Sequence, residues 1–254
     1  MTRLASLALA VSALALTAAI PARADDFSPA QRGAIEKIIK DYLLEHPEVL
    51  QDAMSALEKR QAAAELEKTK TAIKDHSDAI FNSPTQVTLG NPQGDVTFVE
   101  FFDYNCGYCK RAMSDMFALM DKDPKLKVVL KEFPVLGPGS VEAARVAAAV
   151  RMQDKNGTKY REFHQKLLGG RGQADKARAI AVAKEIGLDT ARIEKDMKSE
   201  EVTSTINENM KLAEALGING TPSYVIGRGA NGELIVGAVG LEALNKRIDA
   251  TRTQ

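Results

Sequence analysis

The sequence predicts an α/β protein: a small mixed sheet with helices packed against it, preceded by an N-terminal helical extension. Three features carry this. Strand-like apolar runs alternate with helical stretches from residue 86 onward. Two cysteines, Cys106 and Cys109, stand where an apolar strand hands over to a helix. Residues 28 to about 75 read as helix, with no strand between them.

The 254 residues are 44% hydrophobic and 27% charged, the balance of a globular protein long enough for one large domain and an appendage. Disordered and collagen-like classes are excluded. Basic and acidic residues number 34 each. Residues 1 to 24 carry Arg3 and Arg23 but no acid, so the remainder has 32 basic against 34 acidic residues, a net charge of −2. No charge excess invites nucleic acid or anionic lipid as a general partner.

Arg3, an almost uninterrupted apolar run from Leu4 to Ile20, and then Pro21-Ala22-Arg23-Ala24 read as a signal peptide, residues 1 to 24, cut after Ala24. A membrane anchor is the competing reading, but the run is only about the minimum length for a span and ends in small residues at the cleavage positions. No later segment is apolar enough to span a membrane, so the mature chain is expected to be soluble and exported. In an oxidising compartment two thiols either pair structurally or exchange disulfides.

Ser28-Pro29-Ala30-Gln31 supplies a capping hydroxyl, a proline at the first helical position and a glutamine three residues after the cap, which starts a helix. Ile35, Ile38, Ile39 and Tyr42 form its apolar stripe. Pro47 interrupts it and opens a second helix, in which Val49, Leu50, Ala53, Met54 and Leu57 recur at helical spacing, running on to about Asp75. Residues 25 to 77 are therefore a helical linker or oligomerisation region. Its apolar face either folds back on the main domain or meets copies of itself, and heptads are not sustained long enough for a coiled coil.

A second domain, 78 to 254, begins where the texture changes. Gln86 to Leu89 and Val96 to Phe102 read as strands around the turn Gly90 to Asp95, followed by a helix to about Met120 and a strand from Lys127 to Phe133. A helical insertion of about 138 to 217 is broken at Asn156-Gly157, Gly169 to Gly172 and Gly187. Ser223 to Ile226, a turn at Gly227 to Gly232, the strand Glu233 to Val236 and a helix from Leu241 close the chain.

Cys106-Gly107-Tyr108-Cys109 follows the strand Val96 to Phe102, which places Cys106 at a helix N-terminus. Free amides and the helix dipole there favour the thiolate, the form that attacks disulfides. One helical turn brings both sulfurs to the same side, so Cys109 can resolve a mixed disulfide formed at Cys106. Two randomly placed cysteines would show this spacing about one time in a hundred. A zinc site lacks further ligands, since there is no third cysteine and His46, His76 and His164 lie in separate segments. A c-type haem needs histidine where Lys110 stands, and a purely structural disulfide would close a loop too short to stabilise much. Neither cofactor nor metal is expected.

Glu100 is an acid in the middle of an apolar strand, so it needs a partner or a proton. Lys131 in the next strand is either its counterpart or part of a solvated face. Asp103, Tyr104 and Tyr108 are surface candidates around the pair, with Tyr108 expected to touch substrate. His46 reads as helix capping, His76 as linker and His164 as one helix face. Thr221-Pro222 precedes the strand Ser223 to Ile226, where an average proline would be trans.

The strand Phe98-Val99-Glu100-Phe101-Phe102-Asp103-Tyr104 before the cysteines, the helical insertion and the late Thr-Pro before a hairpin together resemble the DsbA-type branch of the thioredoxin superfamily, over roughly residues 78 to 254. The resemblance implies a thioredoxin-like fold with a helical insertion. It also implies a cis Pro222 facing the redox pair, a Thr221 backbone free to pair with a substrate strand, and Glu100 as a buried acid assisting proton transfer at Cys109. Gly107-Tyr108 with Thr221-Pro222 looks like the disulfide isomerases, whereas strongly oxidising members carry Pro-His between the cysteines. The extension containing Tyr42 to Leu50 is similar to that of ScsC and Com1-like proteins, some of which are trimers.

A periplasmic disulfide isomerase is therefore the leading expectation. Its catalytic residues would be Cys106, Cys109, Pro222, Thr221 and Glu100, with substrate contacts from Gly107, Tyr108 and Thr221. Its partners would be misfolded or reduced exported proteins, a membrane thiol reductase of the DsbD or ScsB type, and further copies of itself, the resemblance favouring a trimer. A monomeric dithiol oxidase, a Cu(I)-binding protein using the two soft thiolates, and a holdase chaperone are the alternatives.

Overall fold

A computed structural model describes residues 27–154 and 156–253; the expected signal peptide, residues 1 to 24, lies outside the described residues. Two compact units part between Arg60 and Gln61.

In the first unit, α1 (Pro29–Glu45) opens with the expected capping box: Gln31 N donates to Ser28 Oγ (3.3 Å) and Ser28 N donates to Gln31 Oε1 (2.9 Å). His46 closes the helix, its N–H donating to the Tyr42 carbonyl, and Pro47 precedes α2 (Glu48–Asp75). No residue of α1 is buried. Ile38, Ile39, Tyr42, Leu44, Leu50, Met54 and Leu57 are all more than half exposed. Apolar side chains at this spacing form a stripe that the first unit by itself leaves uncovered.

The second unit takes in the last turns of α2, where Ile73 is buried, so its core begins earlier than the change of sequence texture near residue 78. A short α3 (Ser77–Phe81) then leads into β1 (Val87–Gly90) and β2 (Val96–Phe102). The helix α4 (Gly107–Lys122) joins β2 to β3 (Leu126–Glu132). Five helices follow, α5 (Pro138–Gln153), α6 (Thr158–Gly169), α7 (Lys176–Glu185), α8 (Thr190–Asp196) and α9 (Glu200–Ala215). Two strands, β4 (Ser223–Arg228) and β5 (Asn231–Val236), and a helix, α10 (Leu241–Arg252), end the unit. Gly157 (φ +75°) and Gly187 (φ +78°) supply left-handed backbone at two helix breaks. The break between α8 and α9 has neither glycine nor proline: Ser199 caps α9 by accepting from Val202 N.

The sheet order is β1-β3-β2-β4-β5, with β2 and β3 parallel and every other pair antiparallel. Because side chains alternate along a strand, β2 and β3 sort their residues to two faces. Phe98, Phe102, Val128 and Leu130 enter the larger core with α4, α10 and the insertion. Val99, Phe101 and Val129 enter a second core with Ile73, Ile80, Phe81, Leu212 and Leu216. Arg252 in α10 binds Asp95 and Asp123, fastening the last helix beside the start of β2.

This register corrects two readings of Lys131. Glu100 stands opposite Leu130 in β3, while Lys131 pairs with Phe101 and shares its face. Lys131 is therefore not the counterpart of Glu100, and at 1% exposure it is not on a solvated face either. Its Nζ donates to the Ala79 carbonyl (2.8 Å), beneath α3.

Candidate active site

Strand β2 is buried at six of its seven positions and stops at Phe102. The loop Asp103-Tyr104-Asn105 then turns the chain so that Cys106 becomes the N-cap of α4. Cys109 N donates to Cys106 Sγ (3.2 Å), taking the place an oxygen fills in an ordinary cap. Both cysteines are free thiols, Cys106 barely exposed and Cys109 fully buried, so Cys106 is the sulfur nearer to solvent.

Pro222 lies beside the pair. The Thr221–Pro222 peptide is cis, as the resemblance implies, and in the thiol form Cys106 Sγ donates to the Thr221 carbonyl (3.3 Å). Gly107 is exposed, and a side chain there would meet nothing within 4 Å. Tyr108 is 61% exposed, its ring 4.3 Å beneath the Arg111 guanidinium.

The two sulfurs are in opposite electrostatic situations. Hydrogen bonding from the Cys109 thiol, then from Thr221 and the amides of Cys109 and Tyr108, outweighs burial and lowers Cys106 to about 5. Burial foremost, then the Cys106 sulfur and the Glu100 charge, push Cys109 far above the usual thiol range. Cys106 is thus a thiolate at neutral pH while Cys109 keeps its proton.

Glu100 is 1% exposed, faces the same core as Cys109, and neither of its carboxyl oxygens has a hydrogen-bond partner. Burial, then the Cys106 charge, push it up to about 8. Its cross-strand neighbour is Tyr224, whose buried hydroxyl is also unpartnered and whose ionisation is suppressed by burial and by Glu100. An acid poised near neutrality below a thiol that must lose a proton can act as that thiol's proton acceptor.

Asp103 and Tyr104 are corrected: the structure buries both, at 1% and 5% exposure. Tyr104 belongs to a polar cluster that composition did not reveal. Tyr160 donates to Glu132 Oε1 (2.6 Å), the Tyr104 and Tyr160 hydroxyls lie 3.4 Å apart, and Tyr104 Oη is 3.4 Å from His164 Nδ1. Burial raises Glu132 well above the carboxyl range and lowers His164 to about 3. Two charged residues, Lys131-Glu132, ending an apolar strand were the available signal.

Clefts of about 770 and 180 Å³ are lined by residues other than the cysteines. Among the described residues no three His, Cys, Asp or Glu side chains group as a metal site. None of the described helices is long and apolar enough to cross a membrane.

A nucleophilic thiolate capping a helix, a shielded second thiol and the Thr221 carbonyl, held against the first sulfur by the cis Thr221–Pro222 peptide, make a thiol–disulfide exchange centre. Residues 97–249 match the DSBA-like thioredoxin domain. The chain belongs to that family. Residues 31–64 match a second domain, described as the copper resistance protein ScsC N-terminal domain.

Solved structures agree with this DsbA-like assignment. A thioredoxin-like oxidoreductase from Silicibacter pomeroyi is 45% identical, the match covering 70% of this chain and 98% of that one with a TM-score of 0.65. The thiol-disulfide exchange protein alpha-DsbA2 from Wolbachia pipientis is 33% identical, covering 74% and 97%, TM-score 0.66. ScsC from Proteus mirabilis, in a transitional conformation, is 26% identical, covering 90% and 98%, TM-score 0.64. The chain spans about a quarter of the length of one curated relative, the Na(+)/H(+) antiporter NhaA 1 of Salinispora arenicola, with 26% identity over 161 residues, 63% of this chain and 24% of that protein. Residues 97–249 therefore form a DsbA-like thiol-disulfide oxidoreductase domain.

Proposed function

We propose that the protein is a periplasmic disulfide isomerase that acts as a homo-oligomer, with a trimer favoured by its likeness to ScsC. The supporting observation is the pairing of a Cys106 thiol lowered to about 5 at the cap of α4 with an extension whose apolar stripe its own unit leaves uncovered. Residues of that stripe, Ile35 to Leu57, lie in the segment matching the ScsC N-terminal domain, and burying them against copies of themselves removes their hydration cost. Several cysteine pairs would then face one client. The leader-like residues 1 to 24 support export.

Cys106 thiolate attacks one sulfur of a wrong client disulfide, and the other client sulfur leaves as thiolate. The mixed disulfide is held where the client backbone can pair with Thr221. A second client thiolate then attacks the client sulfur bound to Cys106, which releases a rearranged disulfide and restores Cys106. Alternatively Cys109, giving its proton to Glu100 in its ionised form, attacks Cys106 Sγ, which frees the client reduced and leaves Cys106–Cys109 oxidised. A membrane thiol reductase, delivering two electrons through its own dithiol, returns the pair to its working state.

The test is light scattering and refolding of a scrambled-disulfide substrate by the mature chain and by a form starting at Gln61. The isomerase reading expects an oligomer that unscrambles and a monomer that only oxidises. A monomeric full chain that fails to unscramble replaces it with a dithiol oxidase.

A further inference from the structure

We propose that Asp103 is a positioning residue for the exchange reaction: its buried carboxylate fixes the peptide leading into Cys106 and locks it to the helical insertion. The proposal rests on Cys106 and Cys109 being the exchanging pair.

The carboxylate is filled to capacity. Oδ1 accepts from Asn105 N and from Ser140 Oγ, both at 2.7 Å, and Oδ2 accepts from Val135 N and Leu136 N, both at 2.9 Å. A carboxylate offers about four lone-pair directions, and each here meets a donor. Donors of this kind are how a charge at 1% exposure is tolerated in an interior. They come from three places: the cysteine loop itself, the segment after β3, and the first turn of α5.

Asp103 also reaches both cysteines through its backbone. Its carbonyl accepts Cys106 N (3.0 Å), and its amide faces the Cys109 sulfur and favours that sulfur's anionic form. Asn105 completes the clamp. Its Nδ2 donates to Ser140 Oγ and the Ala174 carbonyl, both at 2.9 Å, and its Oδ1 accepts from Ala174 N (2.7 Å). The loop that aims Cys106 Sγ at the Cys109 amide is thus held to two points of the insertion, the first turn of α5 and the α6–α7 connection, by two side chains.

Asp103→Asn is a sharp probe because it preserves shape. In the place of Oδ2 its NH2 confronts two backbone donors. In the place of Oδ1 it confronts the Asn105 amide while the Ser140 hydroxyl can turn to accept, so at least one hydrogen bond of the clamp must open either way. The sign of the result separates positioning from plain charge. Removing a negative charge near a thiolate lowers the thiolate's titration midpoint, whereas loosening the cap geometry raises it.

The experiment uses the full mature chain. The Cys106 thiolate is titrated by its absorbance at 240 nm, the equilibrium constant with glutathione is measured, and near-ultraviolet circular dichroism monitors the fold. Asp103→Asn should raise the midpoint from about 5 by one pH unit or more and shift the glutathione equilibrium at least tenfold, with the fold retained. Ser140→Ala, which removes one donor, should move both in the same direction by less. A midpoint that stays within 0.3 units, or that falls, overturns the proposal. If Asp103→Asn does not fold, Asn105→Ala and Ser140→Ala carry the same test, and unshifted midpoints in both overturn it. Failure of the wild type to exchange disulfides would instead reject the reading of the cysteine pair, and the titrations would still read the clamp.

Discussion

Glu100 in β2 and Lys131 in β3 are buried ionisable groups on opposite faces of one sheet. Burial is the leading cause in both, pushing the acid up to about 8 and the amine down to about 7. Yet one lies in the reaction core and the other does not. Glu100 is electrostatically coupled to both cysteine sulfurs, whereas Lys131 meets the Ala79 carbonyl and feels the charge of Glu208. A perturbed ionisation marks desolvation, and only the neighbours turn it into chemistry.

The largest effect comes from removing the sulfurs that give Glu100 its role. Cys106→Ser should abolish disulfide exchange, a loss of more than about a thousandfold, with the fold intact. Cys109→Ser should still attack and should accumulate a mixed disulfide visible on a non-reducing gel. Rapid exchange by Cys106→Ser would break the comparison outright.

Next comes Glu100→Gln, which should slow the Cys109-dependent release step by about 10- to 100-fold in single-turnover assays. It should also change stability against pH. Folded Glu100 keeps a proton that the unfolded chain gives up above pH 4.5, so stability is fully present below that value and is lost up to about pH 8. The glutamine variant removes this loss and should be more stable at pH 8, by on the order of a few kcal/mol in urea titrations.

Lys131→Met is the converse. It should leave exchange within about twofold of wild type, since no sulfur feels this amine. Folded Lys131 gives up a proton that the unfolded chain holds below pH 10.5, so stability is fully present above that value and is lost as pH falls towards about 7. The methionine variant should therefore gain on the order of a few kcal/mol at pH 7 and little at pH 10.5. A large loss of exchange in this variant would mean that the two faces are coupled.

Thr221→Val is the smallest step. It deletes a hydroxyl that helps hold Cys106 low and keeps the carbonyl, so the thiolate midpoint should rise by less than about one unit at 240 nm.

Much of this was legible in the sequence because it was local. Val96 to Phe102 is an apolar run interrupted only by Thr97 and Glu100 and is β2 residue for residue, and the Ser28 and Gln31 capping box forms as written. Glu100 announced itself as an acid inside that run. The helical breaks with glycine were readable, while the one capped by Ser199 was not, and five-residue α3 is too short to show a period. Asp103 and Tyr104 misled because a polar residue after a strand looks like surface. Their burial depends on Ser140, Tyr160 and His164, which are 37 to 60 residues away along the chain. Lys131 misled for a related reason: its covering helix α3 lies about fifty residues earlier.

The cluster of Glu132, Tyr160, Tyr104 and His164 joins β3, the cysteine loop and α6, and it makes parting of the insertion from the sheet a proton-counting event. Wetted, Glu132 would return to the usual carboxyl range near 4.5 and release a proton, while His164 would return to about 6.5 and take one up. Between roughly pH 4.5 and 6.5 the two exchanges cancel. Above that window opening sheds a proton and is favoured by alkali; below it, opening binds one and is favoured by acid. The seam is a buffered joint, most cohesive under mildly acidic conditions and loosened on either side by a different member of the cluster.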